Sequence, residues 1–203
     1  MPKSTDFSNE ETLETNKDKD IKANKAVEKD FERLSAMVDA LPKMSALNER
    51  LLQAHVARQL LSQFNKALVL SNEHENYTAI INAATRAAHS AEQNGDSENR
   101  AKQLGIVRLY SDIDATRIGP LNRAIAEFFT TAKDSMLASY LTSLLDDTRV
   151  LPSKELVKSC LSDFLLDDDE YNKLLLEVDS FQEEYQRLYA LCSKSLSFTT
   201  ESD

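Results

Sequence analysis

Glycine, proline and β-branched residues are all scarce in this chain of 203 residues. It has 3 Gly and 4 Pro, about 3% of the residues, where roughly 12% is usual. Leu and Ala together number 49, whereas Val and Ile together number 15. Strands favour β-branched residues and tight hairpins need Gly. This scarcity excludes a large sheet, and the sequence therefore predicts an all-α protein.

Positive charge is outnumbered by negative charge, with 24 Lys and Arg against 34 Asp and Glu. The net charge is −10 and the isoelectric point is about 4.9. An acidic surface repels phosphate backbones and anionic lipid headgroups, and Lys and Arg are scattered along the chain rather than clustered. We therefore expect a protein partner or self-association, no membrane partner, and a low tendency to bind nucleic acid.

Long apolar runs and cysteines are few. The longest run without a charged residue is the 11 residues from Ser135 to Leu145, whereas a membrane span needs about 20 apolar residues. The first residues, MPKSTDFSNEE, lack the apolar core of a signal peptide. Cys160 and Cys192 lie in apolar helical segments and are expected to be buried, reduced thiols. These features predict a cytoplasmic protein.

Two segments carry coiled-coil-like heptad spacing, one near each end of the chain. The first predicted helix runs from about Asp20 to Ala40, and Pro42 is expected to end it. The last runs from about Asp168 to Leu196, and Asp167 with Glu170 is expected to cap it. The seam residues are Val27, Phe31, Leu34, Val38 and Leu41 in the first helix, and Tyr171, Leu174, Val178, Phe181, Tyr185, Leu188 and Cys192 in the last.

The middle of the chain is predicted to form five further helices. They are expected at about 43–70, 73–93, 96–110, 120–145 and 152–166. The expected breaks are marked by Pro, Asn and Gly signals and lie at Pro42, Ser71-Asn72, Asn94-Gly95, the connector 111–119 and the loop 146–151. The sequence thus predicts a bundle of six or seven antiparallel helices.

A single folded domain is expected between two tails. Residues 1–18 have too few apolar side chains to offset chain entropy, so they are predicted to be a disordered acidic tail. Residues 19–196 are predicted to form one helical-bundle domain, and residues 197–203 a second disordered tail.

The two end seams leave two arrangements open. Either they pack on each other or on the middle helices within one bundle, or one of them pairs with another subunit. Aromatic side chains are common interface anchors, so the last helix provides the first candidate interface and the first helix the second. The candidate interface residues are Tyr171, Val178, Phe181, Tyr185 and Leu188, followed by Val27, Phe31, Leu34 and Val38.

One short motif invites an enzymatic interpretation. Asp112, Asp114 and Thr116 match D-x-D-x-T and resemble the first motif of haloacid-dehalogenase-type phosphatases. The resemblance implies a nucleophilic Asp112, an acid at Asp114 and a phosphate-positioning Thr116, with Asp146-Asp147 as magnesium ligands. That family needs a parallel sheet, for which this chain lacks β-branched runs. We therefore predict a polar loop at 111–119 instead.

Metal and cofactor motifs are missing as well. His55, His74 and His89 are too far apart for a helical metal pair. The acidic run 167–170 lacks the Gly and Glu positions of a calcium loop. With 3 glycines the chain has neither a phosphate loop nor a Gly-x-Ser-x-Gly motif. We expect no catalytic residue, no cofactor and no metal.

A non-enzymatic protein-interaction module is the function that these features favour. It would be a scaffold, adaptor or chaperone-like subunit that acts through apolar helical seams and associates with itself as a homo-oligomer. The alternative is a regulator that binds nucleic acid or the transcription machinery.

Overall fold

The computed structural model describes the backbone of residues 8–145 and 150–200, and the side chains of residues 21–145 and 150–195. Helix accounts for 88% of it, and the described residues contain no strand, which confirms the all-α prediction. The helices are α1 (Ser8–Gln93), α2 (Ser97–Asp134), α3 (Lys154–Leu161) and α4 (Asp168–Thr200), with a short 3₁₀ helix at Thr142–Leu144.

The predicted count of six or seven helices is wrong, because the described ranges contain four. The three helices expected before Gly95 are one helix of 86 residues, α1. Pro42 lies inside α1 on an exposed side, so the carbonyl that loses its amide donor stays open to water. Asn72 is also exposed within α1, where a polar residue costs less than about 0.7 kcal/mol. Neither residue ends the helix.

The connector predicted at residues 111–119 is helical too. It lies within α2, which has 38 residues and contains Pro120. Asp114 in this segment is buried and lies 2.7 Å from His74 of α1, and such a tertiary contact overrides the local turn preference of Asp and Gly. The expected helices 96–110 and 120–145 are therefore one, and it ends early, at Asp134.

Capping residues confirm four of the predicted boundaries. Gly95, just after α1, has a φ of 72°, the left-handed conformation that ends many helices. Side-chain oxygens satisfy free backbone N–H groups at the start of the other three helices. Asp96 accepts from Asn99, Ser153 accepts from Leu156, and Asp167 accepts from Glu170.

The two predicted disordered tails stay predictions, and parts of both are helical in the described backbone. Helix α1 includes residues 8–18 and α4 includes residues 197–200. Glu and Lys, which favour helix, are frequent in the first of these segments. The rest of the predicted tails, residues 1–7 and 201–203, lies outside the described residues.

Contacts divide the chain into two compact units. Unit 1 comprises Met1–Leu51 and Asp167–Asp203, and unit 2 comprises Leu52–Leu166. Helix α1 contributes residues to both. The single domain expected for residues 19–196 stays a prediction.

Unit 2 has its core where the middle of α1 meets the end of α2 and the segments that follow. Phe64 and Phe128 are fully buried, with ring centroids 5.6 Å apart and planes tilted by 59°. Aliphatic side chains from α3 and the 3₁₀ segment complete this core. The other buried members are Ala57, Leu60, Ala132, Leu137, Leu141, Leu144, Val157 and Leu161.

Unit 1 is a pair of antiparallel helices formed by the first part of α1 and by α4. Arg33 pairs with Glu184, whereas Met44, further along α1, shares a cavity wall with Val178, which is earlier in α4. The two helices therefore run in opposite directions. In its described residues these two helices share one seam, and this seam holds the buried side chains of unit 1.

Candidate interaction surface

The seam of α4 faces the interior of unit 1. Val178 and Leu188 are buried, with 3% and 0% of their surface exposed. Tyr171, Phe181 and Tyr185 are half-buried at its edges. The five candidate interface residues of α4 thus lie in the α1–α4 seam or at its edges, and their role in contact with another subunit stays a prediction.

The seam expected on α1 is largely uncovered. Val27, Phe31 and Val38 are 36%, 37% and 47% exposed, and Leu41 beside them is 37% exposed. Leu34 is the one candidate residue of α1 that is half-buried. An apolar stripe therefore lies along α1 at the edge of its contact with α4.

A second heptad series explains why this stripe is uncovered. The less exposed positions of α1 include Asp30, Met37, Met44 and Leu51, which are seven residues apart. Residues at that spacing share one side of a helix in a coiled coil. Asp30 and Met37 directly precede Phe31 and Val38 in sequence, and it is the side of Asp30 and Met37 that faces α4. The Met37, Met44 and Leu51 spacing is the signal that sequence analysis missed.

One side of the α1–α4 seam is closed by ion pairs. Glu184 accepts hydrogen bonds from Arg187 at 2.7 Å and 2.9 Å and from Arg33 of α1. The hydrogen bonds from Arg187, with the charges of Arg187 and Arg33, hold the pKa of Glu184 below its usual value. We call this flank the Arg33 side.

The other side of the seam is open. A cavity of about 300 Å³ lies between the helices, with Met44 and Val178 among its apolar lining residues. Ser45 and Gln182 also line it. Ser45 directly follows the seam residue Met44 in sequence, and Gln182 directly follows Phe181. We call this flank the open side.

Aromatic rings continue the open side along α4. Phe181, Tyr185 and Tyr189 are one turn apart, and each ring stacks on the next with centroids 6.3 Å apart. Tyr189 is 59% exposed. Large rigid rings with a polar tip are typical of contact surfaces between proteins.

Unit 2 carries a polar pair that sequence analysis missed. His74 Nδ1 lies 2.7 Å from Asp114 Oδ1 between α1 and α2. Asp114 is a buried charged residue, and the ring centroids of Tyr77 and Tyr110 nearby are 6.0 Å apart. The two partners are 40 residues apart in sequence, so no local pattern connects them.

The D-x-D-x-T motif does not have the geometry that its resemblance implies. Asp112, Asp114 and Thr116 lie within helix α2, whereas the phosphatase motif follows a strand. Residues two apart on a helix point in nearly opposite directions, and accordingly Asp112 is exposed while Asp114 is buried. Asp146 and Asp147 lie outside the described residues.

Loss of the His74–Asp114 pair is expected to weaken unit 2. Asp114→Ala should lower the free energy of unfolding by about 0.5–1.5 kcal/mol, because it removes one hydrogen bond while the half-buried His74 ring keeps access to water. Asp112→Ala, two residues away on the exposed side, should change it by less than about 0.5 kcal/mol. Urea denaturation followed by circular dichroism measures both. Equal effects of the two substitutions would contradict the pairing.

The described residues contain neither a candidate metal site nor a candidate membrane span. In the described ranges no group of three or more His, Cys, Asp or Glu residues is placed to hold a metal ion. None of the helices in those ranges has the length and apolar character needed to cross a bilayer. Cys160 is half-buried and Cys192 is buried, and both are free thiols.

Comparison with protein families, with curated proteins and with solved structures finds no match to this chain. The fold and the surface therefore assign this chain to a structural class and not to a family. It is an all-α protein whose unit 1 is a helix pair with an uncovered apolar flank.

Proposed function

We propose that this chain is a non-enzymatic protein-interaction module, a scaffold or adaptor that presents the open side of unit 1 to a partner. The observation that carries this proposal is the apolar stripe of Val27, Phe31, Val38 and Leu41, which is exposed although it recurs at seam spacing. Contiguous exposed apolar surface is unusual unless something binds to it. Helices with such stripes are typically completed by another helix.

Self-association and a cytoplasmic location are further parts of this proposal. Free Cys160 and Cys192 are compatible with a reducing compartment. Self-association through a surface other than the open side is tested by light scattering across a range of protein concentrations. A mass that stays at 22.9 kDa throughout would contradict it.

A change of Val38 to Lys is expected to weaken partner binding in the native host at least tenfold. Val38 is 47% exposed, so Lys is tolerated in the folded chain but places a charge in the apolar stripe. Tagged wild-type protein should retain at least one partner, and Val38→Lys should retain it at least tenfold less well. Quantitative mass spectrometry of the purified complexes measures the ratio.

The matched control for that experiment is Ala36→Lys. Ala36 is also exposed on α1 but is two positions away and therefore on nearly the opposite side of the helix. The substitution Ala36→Lys adds the same charge to the same helix as Val38→Lys. If the two variants retain the same partners in the same amounts, the proposed surface is not the one that binds.

The second candidate function, a regulator that binds nucleic acid, has one observation in its favour. Lys22, Lys29, Lys43 and Arg50 are separated by multiples of seven residues and therefore line one stripe of α1. Binding to a pool of DNA or RNA that weakens steeply with salt would support it. No binding at low salt would remove it.

A further inference from the structure

We propose that the occupant of the open side is a basic amphipathic helix of another protein, with an apolar stripe flanked by Lys and Arg. This inference rests on the proposed function and adds the chemistry of the partner. It follows from the apolar surface, the cavity and the distribution of charge around unit 1.

Apolar side chains line the open side on both helices. Phe31, Val38 and Ser45 are seven residues apart on α1, as are Leu175, Gln182 and Tyr189 on α4. Ser45 and Gln182 line the open cavity, so the stripes to which they belong border the same flank. The exposed surface of Phe31, Val38 and Tyr189 thus lies along one shallow groove parallel to the two helix axes.

Such a groove matches a third helix better than an extended segment. Two antiparallel helices offer holes between their side chains, into which a facing helix inserts one large side chain per turn. The cavity of about 300 Å³ between Met44 and Val178 is one such hole, large enough for a Leu or Phe side chain.

The charged residues next to the groove are mostly acidic. On the same flank, but further from the seam than Phe31, Val38 and Tyr189, lie five acidic residues. They are Glu28, Glu32 and Asp39 on α1 and Asp179 and Glu183 on α4. All five are exposed. One base, Lys25, shares these positions on α1.

Cations are concentrated on the other flank. The stripe of Lys22, Lys29, Lys43 and Arg50 lies next to Arg33 on α1, and Lys173, Arg187 and Lys194 form a matching stripe next to Glu184 on α4. Because Arg33 and Glu184 meet on the Arg33 side, these cations border that side. Unit 1 is therefore electrostatically divided, with acids at the open side.

This distribution of charge favours a basic occupant of the open side. A second copy docked by the same surface would place acids against acids, since a symmetric contact joins identical patches, and like charges at an interface cost free energy. A helix whose apolar stripe is flanked by Lys and Arg covers the groove and pairs with both acidic edges. Its binding is expected to weaken as salt rises.

The test uses the full-length chain and two designed peptides of about three heptads, with Leu at the seam positions. One peptide has Lys at the flanking positions and the other has Glu. Fluorescence anisotropy should show that the Lys peptide binds at least tenfold more tightly than the Glu peptide. Circular dichroism should show that the bound Lys peptide is helical.

A charge-matched pair of variants separates this site from general attraction to an acidic protein. The double variant Glu28→Lys and Asp179→Lys alters the edges of the groove and should weaken binding of the Lys peptide at least tenfold. The double variant Glu75→Lys and Asp112→Lys changes the net charge equally at exposed positions of unit 2. It should change binding by less than threefold.

Each other outcome overturns the inference. Equal weakening by the two double variants would mean that the peptide is attracted by net charge alone. Absence of Lys-peptide binding would remove the basic helix as occupant, and the proposed function would stand if native partner retention still depends on Val38. A dimer of the wild-type chain that Val38→Lys dissociates would identify a second copy as the occupant.

Discussion

Replacing Phe128 with Ala is expected to lower the free energy of unfolding of unit 2 by about 3–5 kcal/mol. Phe128 is fully buried and packs against Phe64 at 5.6 Å and Phe129 at 5.3 Å between ring centroids. Its removal takes away the buried surface of one ring and leaves a cavity that neighbouring aliphatic side chains fill only in part. The chain has no Trp, so few residues bury as much surface in this core.

The control for Phe128→Ala is Leu109→Ala on the same helix. Leu109 is 57% exposed, so its truncation should change the free energy of unfolding by less than about 0.5 kcal/mol. Urea denaturation monitored by circular dichroism gives both values. A loss below about 1 kcal/mol for Phe128→Ala would show that the core is not packed as described.

Composition and local signals predict the fold class and several boundaries. Scarce Gly and β-branched residues predict helices, and Asn94-Gly95, Ser153 and Asp167 mark helix ends because their effect is local. Pro42 and Asn72 carry signals of the same kind, but both lie on exposed sides within α1. Whether such a signal ends a helix depends on tertiary contacts that sequence periodicity does not contain.

The open side could be predicted only in part. The apolar series Val27, Phe31 and Val38 is evident from spacing, and so is the overlapping series Met37, Met44 and Leu51. Which series faces α4 depends on how both helices pack, not on α1 alone. The structure places the second series inside, and the first is therefore the exposed one. The His74–Asp114 pair needed the structure for a similar reason, since α1 and α2 must first be aligned.

Replacing Leu188 with Asp is expected to separate the helices of unit 1. Leu188 is 0% exposed in the α4 seam, and a carboxylate there would be desolvated without a partner. An uncompensated buried charge costs about 3–5 kcal/mol. The described residues of unit 1 form one seam between two helices, so Leu188 belongs to the contact that holds them together. Hydrogen exchange should therefore accelerate at residues 21–51 and 168–195.

Leu176→Asp is the matched control for the change at Leu188, because Leu176 is 70% exposed on the same helix. It introduces the same charge and should leave exchange in unit 1 nearly unchanged. Amides around Phe64 and Phe128 should stay protected in both variants, since the residues of that core belong to unit 2. Loss of protection in both units after Leu188→Asp would show that they unfold as one. Retained protection in unit 1 would mean that Leu188 does not lie inside the seam, and the open side defined by that seam would then have to be reassigned.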